Sequence, residues 1–420
     1  MQIKRREFLK TFSLLSTAVW APTFLVEGVR AAGASSRPLL QGTGNRILVV
    51  VELAGGCDGL NTIVPYSNDF YYNARPGLAI PSTDILPLND ELGLHPSMAG
   101  VKQLYDEGRV AIVNGVGYPN PNRSHFRSRD IWHTAEPDEI GSDGWLASYL
   151  DEYDTGDPLQ GLNVGGGVPK SLISSEGASA SIQSIDTYKL ESDPRYPGDT
   201  DAKNAAFQAI IGQPQSSYPL QQFVTQTVLD ATLSSAQLLE GQDTYASTIE
   251  YPNSAFATSL RTVAQIIAAD LGVTVFYARL GGFDTHGNQV QAGSPLLGTH
   301  ATLLDTFSGA LSSFMADLRE LGRAEDAMVM SFSEFGRRLS ENGSLGTDHG
   351  TANQMFLFGD SINAGLHGSY PSLSPENLDN VGDMVFGTDF RSVYATVLEN
   401  WLGADSELLL GEPMELLDFV

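Results

Sequence analysis

Acids and histidines stand just beyond several short apolar runs of this sequence, and metal coordination is the chemistry that their types and spacing suit. The β-rich run 273–280 ends in Gly281-Gly282, and Asp284 and His286 follow one residue apart. Parallel strands of open α/β sheets place ligands at such carboxyl ends. An Asp-x-His pair can also do no more than cap a helix, so the recurrence carries the argument. Asp58 lies in the loop Ala54-Gly55-Gly56-Cys57-Asp58-Gly59 after the run 46–53, where it reads equally as a ligand or as a turn acid. Glu334 follows the run 327–332, and Asp348-His349 stands between Gly346-Thr347 and Gly350. Carboxylate and imidazole donors sharing one edge suit zinc or manganese, as one or two ions. Two ions about 4 Å apart would clamp an in-line displacement at phosphorus or sulfur.

Two further positions bear on that chemistry. A rigid Pro-containing loop, 117–123, leads to Ser124 and His125 at the expected start of a helix running through Trp132. Ser124 is either the N-cap of that helix or a nucleophile beside its positive end. His300 lies one turn before Leu304 on the inward face of a later helix, as a structural histidine or as a neutral group able to assist.

The elements that must position these residues follow an α/β rhythm. Continuous apolar runs at 46–53, 109–116, 273–280, 327–332 and 355–359 read as strands buried on both faces. Between them fall helical patterns at 94–108, at 256–271 behind Asn253 or Ser254 as cap, and at 304–321 before Gly322, with a last helix at 390–402. Residues 170–251 change character: Ser, Gln, Gly and Asp dominate, with one helical pattern at 220–239, so this region reads as an inserted cap.

Composition limits the partners. Arg5-Arg6 followed by an uncharged stretch and small residues at Val29, Ala31 and Ala32 reads as a twin-arginine export signal over 1–32, with a flexible linker over 33–45. The expected destination is the periplasm or beyond. The chain carries a formal charge of −26, and the signal holds five cations against two anions, so the exported part is more acidic still. Such a surface repels nucleic acid, and an anionic ester is drawn in only where bound cations reverse the sign. The single cysteine, Cys57, excludes an internal disulfide, which leaves an apolar core as the source of stability.

The Arg-Arg start, Gly55-Gly56-Cys57-Asp58-Gly59-Leu60-Asn61, Ser124-His125-Phe126, Gly281-Gly282-Phe283-Asp284-Thr285-His286, Ser333-Glu334-Phe335-Gly336-Arg337 and Asp348-His349-Gly350 together resemble the exported "domain of unknown function 1501" family, over nearly the whole chain. That family is placed in the alkaline phosphatase and sulfatase superfamily. The resemblance implies a three-layer α/β/α sandwich over 46–420, mostly parallel and alkaline phosphatase-like, with metals at the carboxyl edge. It implies Asp58 as a first-strand metal acid, Asp284 with His286 as an Asp/His ligand group, and His349 as a last metal histidine. Glu334 stands where the superfamily has an Asp-His pair, and Ser124 lacks the Cys/Ser-x-Pro-x-Arg context of sulfatase nucleophiles. The expectation is an exported metal-dependent hydrolase of phosphate or sulfate esters, small molecules or cell-envelope components, with Ser124 attacking and His125 or His300 assisting. The alternative is a non-catalytic exported binding or assembly protein on the same fold. A second exported protein of unknown function is the partner that the resemblance implies.

Overall fold

The computed structural model describes residues 46–153, 159–185, 202, 238 and 244–420. The expected signal and linker, and nearly all of the expected cap helix at 220–239, lie outside these residues. Eleven strands matter to the site: β1 (Ile47–Ala54), β2 (Val110–Gly117), β3 (Gly161–Val164), β4 (Ala180–Ile182), β5 (Val275–Gly281), β6 (Ala327–Phe332), β7 (Arg337–Glu341), β8 (Thr347–His349), β9 (Asn353–Phe358), β10 (Gly365–His367) and β11 (Thr388–Asp389). Nine of them form one sheet in the order β10-β2-β9-β6-β1-β5-β3-β4, with β11 also on β2. All neighbours are parallel except β9, which runs opposite to both β2 and β6. β4 lies within the span expected as a cap, yet it is an edge strand of the sheet. β7 and β8 form a separate hairpin.

Alternation of side chains along a strand sends β1 into two cores. Val49, Val51 and Leu53 pack with α1 (Ala99–Asp106), α4 (Ala255–Ala268) and α5 (Thr299–Glu320). Leu48 and Val50 pack on the other face with Trp132 of α2 (His125–Thr134), Trp145 of α3 (Trp145–Glu152) and Tyr394 of α6 (Phe390–Thr396). Helices thus cover both faces of a mostly parallel sheet. Every residue of β1 is buried, and each large apolar side chain so placed contributes about 1.5–3 kcal/mol. Local chemistry sets the helix ends. The Ser254 hydroxyl accepts from the Ala257 N–H at the start of α4, and Gly322 takes a φ of +70° just past α5.

The carboxyl ends of β1, β5 and β6 share one edge of the sheet because these strands are parallel neighbours. The loops leaving them are packed too closely for side chains at certain positions. Gly55 has a φ of +122°, and a Cβ there would lie 2.4 Å from the Asp284 nitrogen. At Gly346 a Cβ would lie 2.4 Å from the His286 backbone.

A buried ion pair secures the loop after β1. Asp58 accepts from Arg75 at 2.6 Å and from Gln289, and both side chains of the ion pair are fully buried. Arg75 also donates to Asn61 and to the Arg338 and Leu339 carbonyls, which attaches the β7 hairpin to the same point. Burial alone would raise the Asp58 pKa, but the Arg75 guanidinium, with smaller help from His300 and Gln289, offsets it, and the net shift is downward. Arg75→Met leaves a buried carboxylate without its cation and lowers the unfolding free energy by about 3–5 kcal/mol at neutral pH, measured by urea denaturation. The stabilisation in the parent is present above the unfolded carboxylate pKa of about 4 and fades as pH falls through the depressed folded value, whereas Asp58→Asn lacks this pH-dependent part.

Candidate metal centre

Four side chains meet at the carboxyl edge. Asp284 and His286 leave β5, His349 ends β8, and His125 is the first residue of α2. The Nε2 atoms of His286 and His349 lie 3.2 and 3.1 Å from Asp284 Oδ1, and His125 Nε2 lies 3.4 Å from Asp284 Oδ2. The His286 and His349 Nε2 atoms are 2.8 Å apart. His125, Asp284 and His349 offer donor atoms that all lie within 4.8 Å of one another.

What stands behind each ring fixes its tautomer. His125 Nδ1 faces the Glu334 carboxylate at 2.9 Å, His286 Nδ1 faces Asp348 at 3.1 Å, and His349 Nδ1 faces the Arg123 carbonyl at 2.7 Å. A carboxylate or a carbonyl only accepts, so each Nδ1 carries the proton. A neutral ring then turns its Nε2 lone pair toward Asp284. Three lone pairs and a carboxylate converge with no donor among them except Arg337, and His125 Nε2 is buried without a hydrogen-bond partner. Such a set requires a cation or extra protons. Zinc bound by His and carboxylate at ~2.0–2.2 Å in a tetrahedron has ligand edges of roughly 3.3 Å. The four contacts of 2.8–3.4 Å among these atoms are close to such edges, and each ring already has the outer acceptor that metal-bound histidines use.

Electrostatics point the same way. Of the acids Asp284, Glu334 and Asp348, only Asp284 is in direct contact with a guanidinium, that of Arg337, which is fully buried and donates to it at 2.8 Å. A divalent cation would neutralise the remaining charge. Burial would raise the Asp284 pKa, but Arg337 and His349 bring it down to about 2. His349 is pushed down from 6.5 by burial, which favours the neutral form that coordination needs. Asp284 and His286 are half exposed, so the centre is open to solvent.

The structure distributes the sequence candidates unevenly. It brings Asp284, His286 and His349 together, adds His125, and leaves Glu334 and Asp348 one layer behind. Glu334 spends its oxygens on the Gly55 N–H and on His125. Asp348 holds His286 and Asn342. Asp58 is not brought to the cluster; its side-chain partners are Arg75 and Gln289. His300 is also apart, fully buried against Thr62, with its pKa lowered to about 4 by burial. Ser124 occupies the N-cap position of α2, but its side chain caps nothing and is exposed. Arg337 escapes a sequence reading because nothing in Arg337-Arg338 says which arginine turns inward.

The contact with Glu334 raises the His125 pKa above 6.5, against the opposing effect of burial. In chelator-treated protein, NMR titration therefore finds His125 above 6.5, and Glu334→Gln, which leaves burial as the main influence, brings it below. This contact stabilises the metal-free fold below the unfolded histidine pKa, and the contribution is lost as pH rises through the raised value.

Comparisons with known proteins place the chain. No curated protein matches it. Among solved structures it is similar to the C-terminal periplasmic domain of EcEptC from Escherichia coli in complex with zinc, at 9% identity and a TM-score of 0.36 over 77% of each chain. It is similar to a protein in the alkaline phosphatase superfamily from Vibrio parahaemolyticus, at 13% identity and a TM-score of 0.35 over 93% of this chain and 79% of that one. The PsFucS1 sulfatase from Pseudoalteromonas sp. is similar at 13% identity and a TM-score of 0.37, over 87% of this chain and 68% of that one. The family described as "Protein of unknown function (DUF1501)" matches residues 45–411, and the chain belongs to it.

Proposed function

We propose that this protein is an exported hydrolase of phosphate or sulfate esters, of the alkaline phosphatase and sulfatase type, that holds one divalent cation, zinc or manganese. The observation that carries the reading is the convergence of three Nδ1-protonated imidazoles on the Asp284 carboxylate. His125, His286, His349 and Asp284 hold the ion, while Glu334, Asp348 and the Arg123 carbonyl orient the rings. Asp58 and His300 belong to the supporting structure, and the site is built for one ion rather than two. Bound there, the cation supplies Lewis-acid stabilisation of charge developing on an ester oxygen.

The chain's own groups do the rest. Arg337 keeps Asp284 ionised and fixed. The exposed Ser124 hydroxyl stands at the start of α2, next to His125, where the first N–H groups of the helix receive the oxygens of an anionic ester. Export through the twin-arginine route suits a chain that folds around its ion first. Among the described residues no helix is long and apolar enough to cross a membrane.

One observation favours the second reading, an exported binding or assembly protein with the same ion. The Ser124 side chain has no base hydrogen-bonded to it among the described residues. Assay of the metal-loaded protein on phosphomonoester, phosphodiester and sulfate ester substrates separates the two. The hydrolase reading predicts turnover that chelation abolishes and that Ser124→Ala lowers by at least about 100-fold, with the metal retained. A fully loaded protein that turns over none of these esters is the binding protein.

A further inference from the structure

Directly behind the centre, on the α2 face of the sheet, lies a second group of charges. Glu52 of β1 is 1% exposed and accepts from the Tyr277 hydroxyl at 2.8 Å. Arg129 and Arg279 reach it from the solvent side, with Nε atoms 3.0 and 3.5 Å from its two oxygens. Neither contact is aligned as a hydrogen bond, and Glu52 Oε1 and Arg129 Nε are left without partners. Of the other arginines of the edge, Arg338 is likewise without a side-chain hydrogen bond among the described residues, 3.6 Å from the Asp383 carboxylate, whereas three behave differently. Arg75, Arg123 and Arg337 spend their guanidinium nitrogens on carboxylates and carbonyls. Arg129 and Arg279 make no hydrogen bond among the described residues, and their side chains are 35% and 50% exposed. Two unsatisfied forks, fixed at Nε by one buried carboxylate, stand together in a chain of charge −26.

Their place in the fold relates them to the centre. Arg129 is one turn of α2 beyond His125, and Arg279 pairs in register with Glu52 across β5 and β1. Val164 at the end of β3 is in register with Ala278, so Gly165-Gly166-Gly167 leaves the sheet beside Arg279. A Cβ at any of these glycines would meet nothing within 4 Å among the described residues, so the loop beside Arg279 is uncrowded by them.

We propose that Arg129 and Arg279 form a second oxyanion subsite, which binds a sulfate, phosphate or carboxylate group on the same substrate whose ester reacts at the centre. The substrate class is then a compound with at least two anionic groups. Paired guanidinium groups recognise such oxyanions by charge-assisted, often bidentate hydrogen bonds. The link to a reacting ester rests on the function proposed above, but oxyanion binding by the pair does not.

The test is calorimetric titration of inorganic sulfate, and separately of inorganic phosphate, into chelator-treated protein at low ionic strength. Because the cation is removed, the result is independent of metal loading and of turnover. Arg279→Gln, which leaves Arg129 on Glu52, weakens binding of the better anion by about tenfold or more without moving the melting temperature. The double variant Glu52→Gln/Arg129→Gln, which leaves no buried charge unpaired, weakens it similarly. Unchanged affinity in both variants, or no measurable binding of either anion by the parent, overturns the subsite. So does binding that survives Arg279→Gln and disappears in His125→Ala.

Discussion

The guanidinium of Arg337 is the contact on which the carboxyl edge depends. It is fully buried and donates to the Gly55 and Gly56 carbonyls after β1, to the Phe283 carbonyl and Asp284 carboxylate after β5, and to the Thr347 carbonyl in β8. A single planar cation thus joins the loops that carry the centre. A buried guanidinium left unpaired is costly, so the loops are held to positions that satisfy it. The same contact settles the charge of Asp284. Held ionised at neutral pH, that carboxylate stands where three imidazoles converge, and because their outer acceptors hold the Nδ1 protons, lone pairs face it that only a cation or extra protons would reconcile.

Two layers of support follow from this arrangement. Glu334, Asp348 and the Arg123 carbonyl orient the rings, and Arg123 is itself anchored by Asp379 and Asp383. Beneath them, the Arg75–Asp58 pair ties the loop after β1 to the β7 hairpin, so the acid nearest the first strand contributes to rigidity instead of coordination. Glu52 does similar work under α2. The acids of this edge are therefore separated by depth, and those that are buried have cations or N–H groups of the protein as partners.

Much of the fold was legible in the sequence because it rests on local patterns. Continuous apolar runs mark β1, β5 and β6, and the 3.6-residue spacing of Phe256, Leu260, Val263 and Ile267 marks α4. Asp284, His286 and His349 stood out as candidate ligands because glycines surround them and a packed core cannot use them, and the structure brings the three together. What failed to show depends on contacts across long separations. Asp58 and Arg75 each look like loop residues until the chain brings the β7 hairpin against them. Glu334 sits at a strand end like a ligand, and only the position of His125 turns it into a support. β4 is three residues long and partly polar, too short for a periodicity to reveal. The reversed direction of β9 has no local signature, since an apolar run reads the same in a parallel or an antiparallel pair.

The measurement that bears most directly on this account is X-ray absorption spectroscopy of the zinc-loaded protein, with metal content determined on the same sample. The account predicts one equivalent of zinc with three imidazole nitrogens and carboxylate oxygen at about 2.0–2.2 Å, and loss of one imidazole shell in His349→Ala. Two equivalents, or a zinc environment that is unchanged in His349→Ala, would contradict it.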